Sequence, residues 1–467
     1  MPVGESPVLR TIAPLALIAG LATACADADV IFRDRVLFED PPAGAGTFIG
    51  YTDEADKLTV CGNCHVGLQA GWELTGHAEA WETLQASDHA QAFCENCHTT
   101  NQLGNTEEEA LGYAAVQDSR YHDVQCESCH GPGLEHVTNP DATQPLAPLD
   151  VGADLTFGCG ECHSGNHHPF VDEWTLSAHG KRGTSMQTRE ECASCHEGRE
   201  ALEAWGVDAD YIEKDQAQPL PVTCGVCHDP HDATNPGQLR FAAGVANIDQ
   251  NLCMRCHQKR AVPELERAGF GPHSPQGPLL LGQDVGWIPP NFEHDETRIV
   301  STHGTERNPG LCATCHVRAF DFTDADGVTV STAGHLFKAI PCLEGGVPTP
   351  SEDCTLGQRS FLSCTDAGCH GDQDAARSAY ITATTDIEDL VADLNALLAQ
   401  VPASEFDSAD TIFTTAEGAR FNSLLGEITS SAIHNPFLTK ALLRASIRQV
   451  EEDYGVALTA GVAGAGE

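Results

Sequence analysis

The sequence of 467 residues carries 68 acidic side chains against 25 basic ones, a formal charge of −43. Nucleic-acid binding is excluded, because phosphate contacts need clustered cations and the chain has six lysines and no basic run. Only 41% of residues are apolar and 6% aromatic, yet 21 are cysteines, so something other than side chains is expected to fill the interior of a chain long enough for about three domains of roughly 150 residues.

At the amino terminus, Arg10 precedes an apolar run from Thr11 to Ala24. The run is too short to span a bilayer and reads as the core of a secretory signal peptide over residues 1–24. Ala22-Thr23-Ala24 forms an A-x-A cleavage site, and Cys25 directly after it is a candidate for lipidation in the stretch Leu21 to Cys25. The lipidated reading is favoured over an exported protein without lipid, and the expected location is the periplasm or cell surface. Residues 25–60 read as a linker.

From residue 61 the cysteines fall into C-x-x-C-H pentapeptides. Eight of these occur, numbered here as sites 1 to 8: Cys61/Cys64/His65, Cys94/Cys97/His98, Cys126/Cys129/His130, Cys159/Cys162/His163, Cys192/Cys195/His196, Cys224/Cys227/His228, Cys253/Cys256/His257 and Cys312/Cys315/His316. A wider C-x4-C-H element, Cys364/Cys369/His370, reads as site 9. This pattern is the covalent attachment signature of c-type haem, in which two thiols bond the porphyrin and the adjacent imidazole is the proximal iron ligand. Structural zinc or redox dithiols would use the same cysteine pairs, but neither chemistry asks for the following histidine. Nine haem c groups are therefore expected.

Successive first cysteines lie 33, 32, 33, 33, 32, 29, 59 and 52 residues apart. The first seven sites thus form a regular array over residues 61–260, and two further sites with long loops occupy 261–382. Segments this short cannot bury a core alone, so the chain is expected to wind around its porphyrins and to be largely unfolded without them. Short helices such as Glu73 to Ala86 are expected between motifs, with Gly/Pro-rich loops and no convincing strands. Cys342 and Cys354 are left over and are expected to form a disulfide in an oxidising compartment. From residue 383 to 455, Ile387, Leu390, Val391, Leu394, Leu397 and Leu398 and then Phe437, Leu438, Leu442, Leu443, Ile447 and Val450 recur at helical spacing, the second set after Asn435-Pro436. This stretch reads as a haem-free helical subdomain, and residues 456–467 as a disordered tail. The fold class is mainly α with extensive loops, a multihaem array with little strand and a C-terminal helical subdomain.

Nine of the 22 histidines are proximal ligands, and Met186 is the one methionine free to serve as a sixth ligand, so bis-histidine iron is expected at most or all sites. The first choice of distal ligands is His77, His89, His122, His136, His179, His231, His273, His303 and His434. His167, His168, His294 and His335 form a second group.

The phrases CESCHGPGLEH, WTLSAHG with CASCH, VTCGVCHDPH with QLR, NLCMRCH and HSPQG resemble the periplasmic decahaem cytochromes of metal-reduction and dimethyl-sulfoxide-reduction systems. The CESCHGPG segment is also similar to the tetrahaem cytochromes of nitrifying bacteria. The resemblance covers about residues 61 to 320 and implies an electron-transfer role with His136, His179, His231 and His273 as distal ligands. The nine sites, the last two long spacings and the helical end depart from the decahaem pattern, which places the porin partnership of that family in doubt.

Two functional classes are weighed. Electron transfer through a chain of bis-histidine haems outside the cytoplasm is favoured, since thirteen spare histidines exceed the nine required. The alternative is a reductase or oxidase of nitrogen or sulfur compounds with one open haem. Pentahaem nitrite reductases mark that haem with C-x-x-C-K, which does not occur here, whereas the six tyrosines leave the tyrosine device of octahaem hydroxylamine oxidases formally open. No catalytic residue is assigned. Partners are expected to be redox proteins, membrane contact to run through lipid alone, and self-assembly into an oligomer or filament stays open. The acidity is read as adaptation to high salt ahead of docking to a cationic partner.

Overall fold

Each attachment motif closes as a helical turn. The computed structural model describes residues 38–101, 109–150, 158–267, 269–290, 292, 301–365, 369–407 and 412–458. The motif histidine donates its backbone N–H to the first cysteine carbonyl at site 1 (2.9 Å), site 4 (2.8 Å), site 6 (2.9 Å) and site 7 (3.1 Å). That one-turn bond stacks the first cysteine and the imidazole on one side of the chain, with the second thiol between them. At the wide motif the same closure runs from His370 N–H to Cys364 O at 3.1 Å. The signal segment, Cys25, His294 and the end of the tail lie outside the described residues.

Helices between the motifs are short, as expected, but their limits differ. The Glu73 to Ala86 stretch is not one helix. Val66–Trp72 ends before it, Gly76–Glu79 forms a 3-10 turn and Ala80–Ala86 is the next helix. The break follows from Thr75, whose hydroxyl donates to the Trp72 carbonyl at 2.7 Å and stops the first helix. The same device recurs where Ser177 donates to Trp174 at 2.7 Å after the Phe170–Leu176 helix. In both places the tryptophan indole reaches across the chain, Trp72 to Val124 O at 2.9 Å and Trp174 to Val222 O at 2.8 Å.

Strands, which were not expected, form three two-stranded antiparallel hairpins: Tyr51–Asp53 with Leu58–Thr59, Asp321–Thr323 with Thr329–Ser331, and Cys342–Glu344 with Val347–Thr349. Runs of two or three residues carry too little alternation to be read from sequence. Cys342 and Cys354 are disulfide-bonded, with Cα atoms 6.0 Å apart, which closes the third hairpin region.

The supposed linker before residue 61 is part of the folded array where it is described. Phe48 and Ile49 are buried. The Glu127 carboxylate, inside the site 3 motif, accepts backbone N–H bonds from Ile49 (2.9 Å), Gly50 (2.8 Å) and Gly133 (2.6 Å). Tyr121 adds a hydroxyl bond to Phe48 O at 2.8 Å.

The C-terminal helices are longer and pack by themselves. Gln373–Leu398, Thr415–Glu427 and Pro436–Tyr454 bury Ile387, Leu394, Leu397, Leu443 and Val450 in one cluster. The first helix begins at Gln373, ten residues before the expected boundary, because Asp372 caps it by accepting from Ala375 N–H at 2.7 Å. Asn435 caps the last helix with Pro436 at its first position. Residues 456–458 do not behave as a free tail: Val456 and Leu458 pack on the cluster, and Gln400 donates to Ala457 O at 3.2 Å. The bundle is clamped to the array through Trp287, whose N–H donates to Asn422 and whose carbonyl accepts from it, both at 2.7 Å.

Candidate haem centres

The turns aim their thiols and imidazoles into a continuous cavity of about 3630 Å³. Among the described residues its walls include attachment residues of sites 2 to 9, together with apolar side chains such as Leu149, Val171, Leu252, Leu280 and Phe337. A space of this size, bordered by thiols and imidazoles, is the inverse of a packed side-chain core. No group of three or more His, Cys, Asp or Glu side chains among the described residues is arranged to hold a bare metal ion.

Site 1 stands apart from the cavity. Cys64, expected as a haem thiol, is exposed, and neither it nor Cys61 and His65 borders the cavity. Cys129, Cys159 and Cys369 are exposed as well, but they do line it. The reason lies in the packing on the two sides of the turn. Cys61 is half-buried against Cys126 of site 3, whereas Cys64 and the residues after it, from His65 to Leu68, face solvent. The attachment spacing holds at Cys64, so a haem bonded there sits at the surface of the array. Cys94 of site 2 is half-buried and also stands off the cavity.

Eight of the nine motif histidines face a second imidazole from a distant segment. The ring centroids lie 6.3 Å apart for His65 and His136, 6.1 Å for His130 and His231, 6.2 Å for His163 and His77, 6.3 Å for His196 and His273, and 6.3 Å for His228 and His335. The remaining pairs are His257 with His179 at 6.2 Å, His316 with His434 at 6.3 Å and His370 with His303 at 6.4 Å. A ring nitrogen sits about 2.0 Å from a bound metal and roughly 1.1 Å from its own ring centre, so two imidazoles on opposite faces of one metal atom place their centroids about 6.2 Å apart. The pairs therefore stand at the separation that one six-coordinate iron requires, and the residues present fit a haem held between them.

The rings are oriented by backbone. Nδ1–H donates to a carbonyl in His130 (Pro145, 2.7 Å), His136 (Thr143, 2.7 Å), His228 (Gly237, 2.7 Å), His303 (Ile433, 2.7 Å), His316 (Phe337, 3.0 Å) and His335 (Ala333, 3.0 Å). This fixes the tautomer that leaves Nε2 as the free donor. His231 is oriented by a carboxylate, with its Nδ1 3.5 Å from Asp229, which Arg240 holds at 2.9 Å. Burial disfavours the charged form at three of these imidazoles: His163 and His179 are lowered to about 4 and His434 to about 3, in each case chiefly by desolvation and then by neighbouring imidazoles.

Of the first-choice distal histidines, His77, His136, His179, His231, His273, His303 and His434 each face a motif histidine. His89 and His122 do not. His89 is exposed. His122 stacks on Trp81 at 3.9 Å with the rings 11° from parallel, and Tyr113 lies tilted against it at 5.5 Å. Both had been chosen for nearness to a motif in sequence, and nearness along the chain does not place a ring across a porphyrin. His335, from the second group, takes a place opposite His228. Its loop is set by Glu173, whose carboxylate accepts from Ala333 N–H at 2.7 Å and from His335 N–H at 2.6 Å, and no local signal announces that contact.

One signal was present and unread. Trp72-x-Leu74-Thr75-x-His77 and Trp174-x-Leu176-Ser177-x-His179 share spacing, and in each the hydroxyl that ends the helix precedes a facing histidine by two residues. His303 follows Ser301 in the same way, with its N–H on the Ser301 hydroxyl at 3.2 Å, as His179 does on Ser177 at 3.2 Å.

Site 2 differs. His98 donates from Nδ1 to Ala80 O at 2.8 Å, but among the described residues no imidazole faces it at the separation of the other sites. His168 lies within electrostatic range of it, is exposed and is edge-on to His163 at 6.1 Å and 77°. His167 is exposed beside it.

Comparison with known proteins agrees with this geometry. Residues 218–262 match the doubled CXXCH motif family, and residues 60–131 match the cytochrome c554 and c-prime family. The chain is a multihaem c-type cytochrome. It is 26% identical over 266 residues to the multiheme cytochrome MtrA of Shewanella baltica (strain OS185), a match covering 52% of this cytochrome and 66% of that protein. No solved structure matches it. No helix among the cytochrome's described residues is long and apolar enough to cross a membrane.

Proposed function

We propose that this cytochrome transfers electrons outside the cytoplasm through nine covalently held haems, at least eight of them ligated by two histidines. The observation that carries the reading is the set of eight imidazole pairs at 6.1–6.4 Å. Haem supplies a reversible one-electron centre at each site. The chain fixes six of the paired rings by Nδ1 bonds to backbone carbonyls and borders the cavity with apolar side chains; at the eight paired sites two imidazoles would hold the iron, which would leave no open position there for substrate. Redox proteins are the expected donor and acceptor, and the resemblance to MtrA supports transfer over catalysis. A lipid on Cys25 is the proposed membrane attachment, which mass spectrometry of the mature amino terminus tests: a diacylglycerol adduct supports it and an unmodified thiol removes it. The reading as a whole is tested by a spectroscopic redox titration of the haem-loaded protein. Fully reversible, low-potential, low-spin transitions are expected, and a protein whose haems fail to exchange electrons with added redox mediators contradicts it.

A second reading attaches to site 2 alone, because among the described residues His98 has no facing ring like those of the other eight. Under it, site 2 is an open haem able to bind a small nitrogen or sulfur compound. The two readings separate on His168. If His168 closes site 2, the native protein is low-spin throughout and H168A creates one high-spin haem. If site 2 is open, that high-spin haem is present in the native protein and responds to nitrite or hydroxylamine.

A further inference from the structure

We infer that Trp72 and Trp174 are positioning residues for two haem irons, those of sites 4 and 7, and that each acts by gripping a valine just ahead of a different attachment motif. The inference rests on the haem reading above and concerns how the chain holds two of the rings that reading needs. His77 faces His163 of site 4 and His179 faces His257 of site 7, each pair with centroids 6.2 Å apart. Six of the paired rings have an Nδ1 bond to a carbonyl. His77 and His179 are not among the six, and it is their backbone that is tied down.

At the first clamp the Trp72 indole N–H donates to the Val124 carbonyl at 2.9 Å, and the Val124 N–H donates to the His77 carbonyl at 3.1 Å. The Thr75 hydroxyl closes the turn between them by donating to Trp72 O at 2.7 Å. At the second, Trp174 donates to Val222 O at 2.8 Å, the Val222 N–H donates to His179 O at 3.2 Å, and Ser177 donates to Trp174 O at 2.7 Å. In each clamp one valine gives both of its backbone groups to the same short segment, its carbonyl to the indole and its N–H to the histidine five residues on. Both tryptophans are only 5% exposed. A buried indole N–H that lost its acceptor would carry the full cost of desolvation, so the pair of bonds holds the segment against the valine.

The two clamps are one arrangement repeated three sites apart. The Trp72 helix follows site 1, Val124 stands two residues ahead of Cys126 of site 3, and His77 faces site 4. The Trp174 helix follows site 4, Val222 stands two residues ahead of Cys224 of site 6, and His179 faces site 7. The ring opposite one iron is thus held by backbone that leads directly into the attachment motif of another. His303, opposite site 9, supplies an internal control. Its carbonyl accepts from the Asn308 side chain at 2.7 Å and its Nδ1 bonds Ile433 O at 2.7 Å, so its position is set by other groups than an indole and a valine.

The test replaces each tryptophan by phenylalanine in the full, haem-loaded protein, which keeps a large apolar ring and removes the N–H donor. By quantitative electron paramagnetic resonance, W72F is expected to convert one low-spin iron per chain to high spin, W174F one, and the double variant two, with the pyridine haemochrome count unchanged. Added imidazole is expected to return each converted iron to low spin, because the haem is in place and has lost only its facing ring. Paired substitutions identify the site: W72F/H77A is expected to convert the same single iron as H77A alone, and W72F/H179A two. Tryptophan variants with the spin count of the parent overturn the clamp and leave the haem reading intact, as does a W72F/H77A protein with two converted irons. Where a tryptophan variant loads fewer haems than the parent, amide exchange in the unaltered protein decides. Protected Val124 and Val222 amides support the clamp, and amides that exchange as fast as those of an open loop overturn it. Fewer than eight low-spin irons in the parent would defeat the haem reading itself, and the clamp with it.

Discussion

The array up to residue 372 and the bundle from Gln373 build their interiors from different materials. In the bundle, Leu394, Leu397 and Leu443 are fully buried in one cluster, Leu438 is buried in a second that also takes in Ala261, Leu279 and Val285 of the array, and helix caps at Asp372, Thr414 and Asn435 define its elements. Among the described residues of the array the longest helices between motifs have seven residues, side-chain clusters such as that of Tyr51, Trp72 and Ala78 are small, and sulfur and imidazole edge a cavity of about 3630 Å³. The bundle is held by apolar side chains, whereas the array under the proposed reading is held by its haems. The two halves are nevertheless linked in chemistry, since His434 in the bundle supplies the ring opposite His316 of the array.

The largest test of this contrast is to withhold haem. A chain made without haem attachment is expected to lose amide-exchange protection across residues 45–370 and to keep it in the Gln373–Leu398 and Pro436–Tyr454 helices, because only the bundle owns a side-chain core. An array that stays protected without haem would erase the distinction. Cutting the bundle core comes next. Leu394→Ala removes a fully buried side chain of the bundle cluster and is expected to lower bundle stability by roughly 2–5 kcal/mol, read by urea unfolding of its helices, with the pyridine haemochrome count unchanged. Opening the one disulfide with Cys342→Ser should cost about 3 kcal/mol for a loop of this length, measured as a lower unfolding midpoint in the array while the bundle midpoint stays in place. The smallest effect is expected at the seam. A Cβ on Gly418 would meet the Trp287 ring, so Gly418→Ala should cost roughly 1–3 kcal/mol by overpacking and should reduce the coupling between the two unfolding transitions. A variant as stable and as coupled as the parent would show that Trp287 does not clamp the halves together.

Legibility in the sequence follows the same division. The motifs could be read because covalent attachment fixes their spacing within five or seven residues, and the bundle could be read because its apolar residues repeat at 3.6. Spacing says nothing of burial, however, so Cys64 could be read as an attachment thiol but not as one on the outside of the array. The facing histidines depend on contacts between remote segments, which local sequence does not display. His136, His231 and His179 stand across from motif histidines. His89 and His122 lie just before a motif, yet one is exposed and the other is stacked on Trp81. His335 was placed second because the residue that positions its loop, Glu173, lies more than 160 residues earlier. The linker before residue 61 was misjudged for a related reason, since the carboxylate that binds it, Glu127, belongs to a motif and reads as part of one.

The account stands on paired imidazoles, and quantitative electron paramagnetic resonance of the oxidised, haem-loaded protein tests it most directly. Calibrated against the haem count, it is expected to show at least eight low-spin bis-imidazole irons per chain, with any high-spin signal limited to the single iron of site 2. Fewer than eight low-spin irons, or high-spin signal spread over several sites, would contradict the pairing on which both the fold of the array and its function rest.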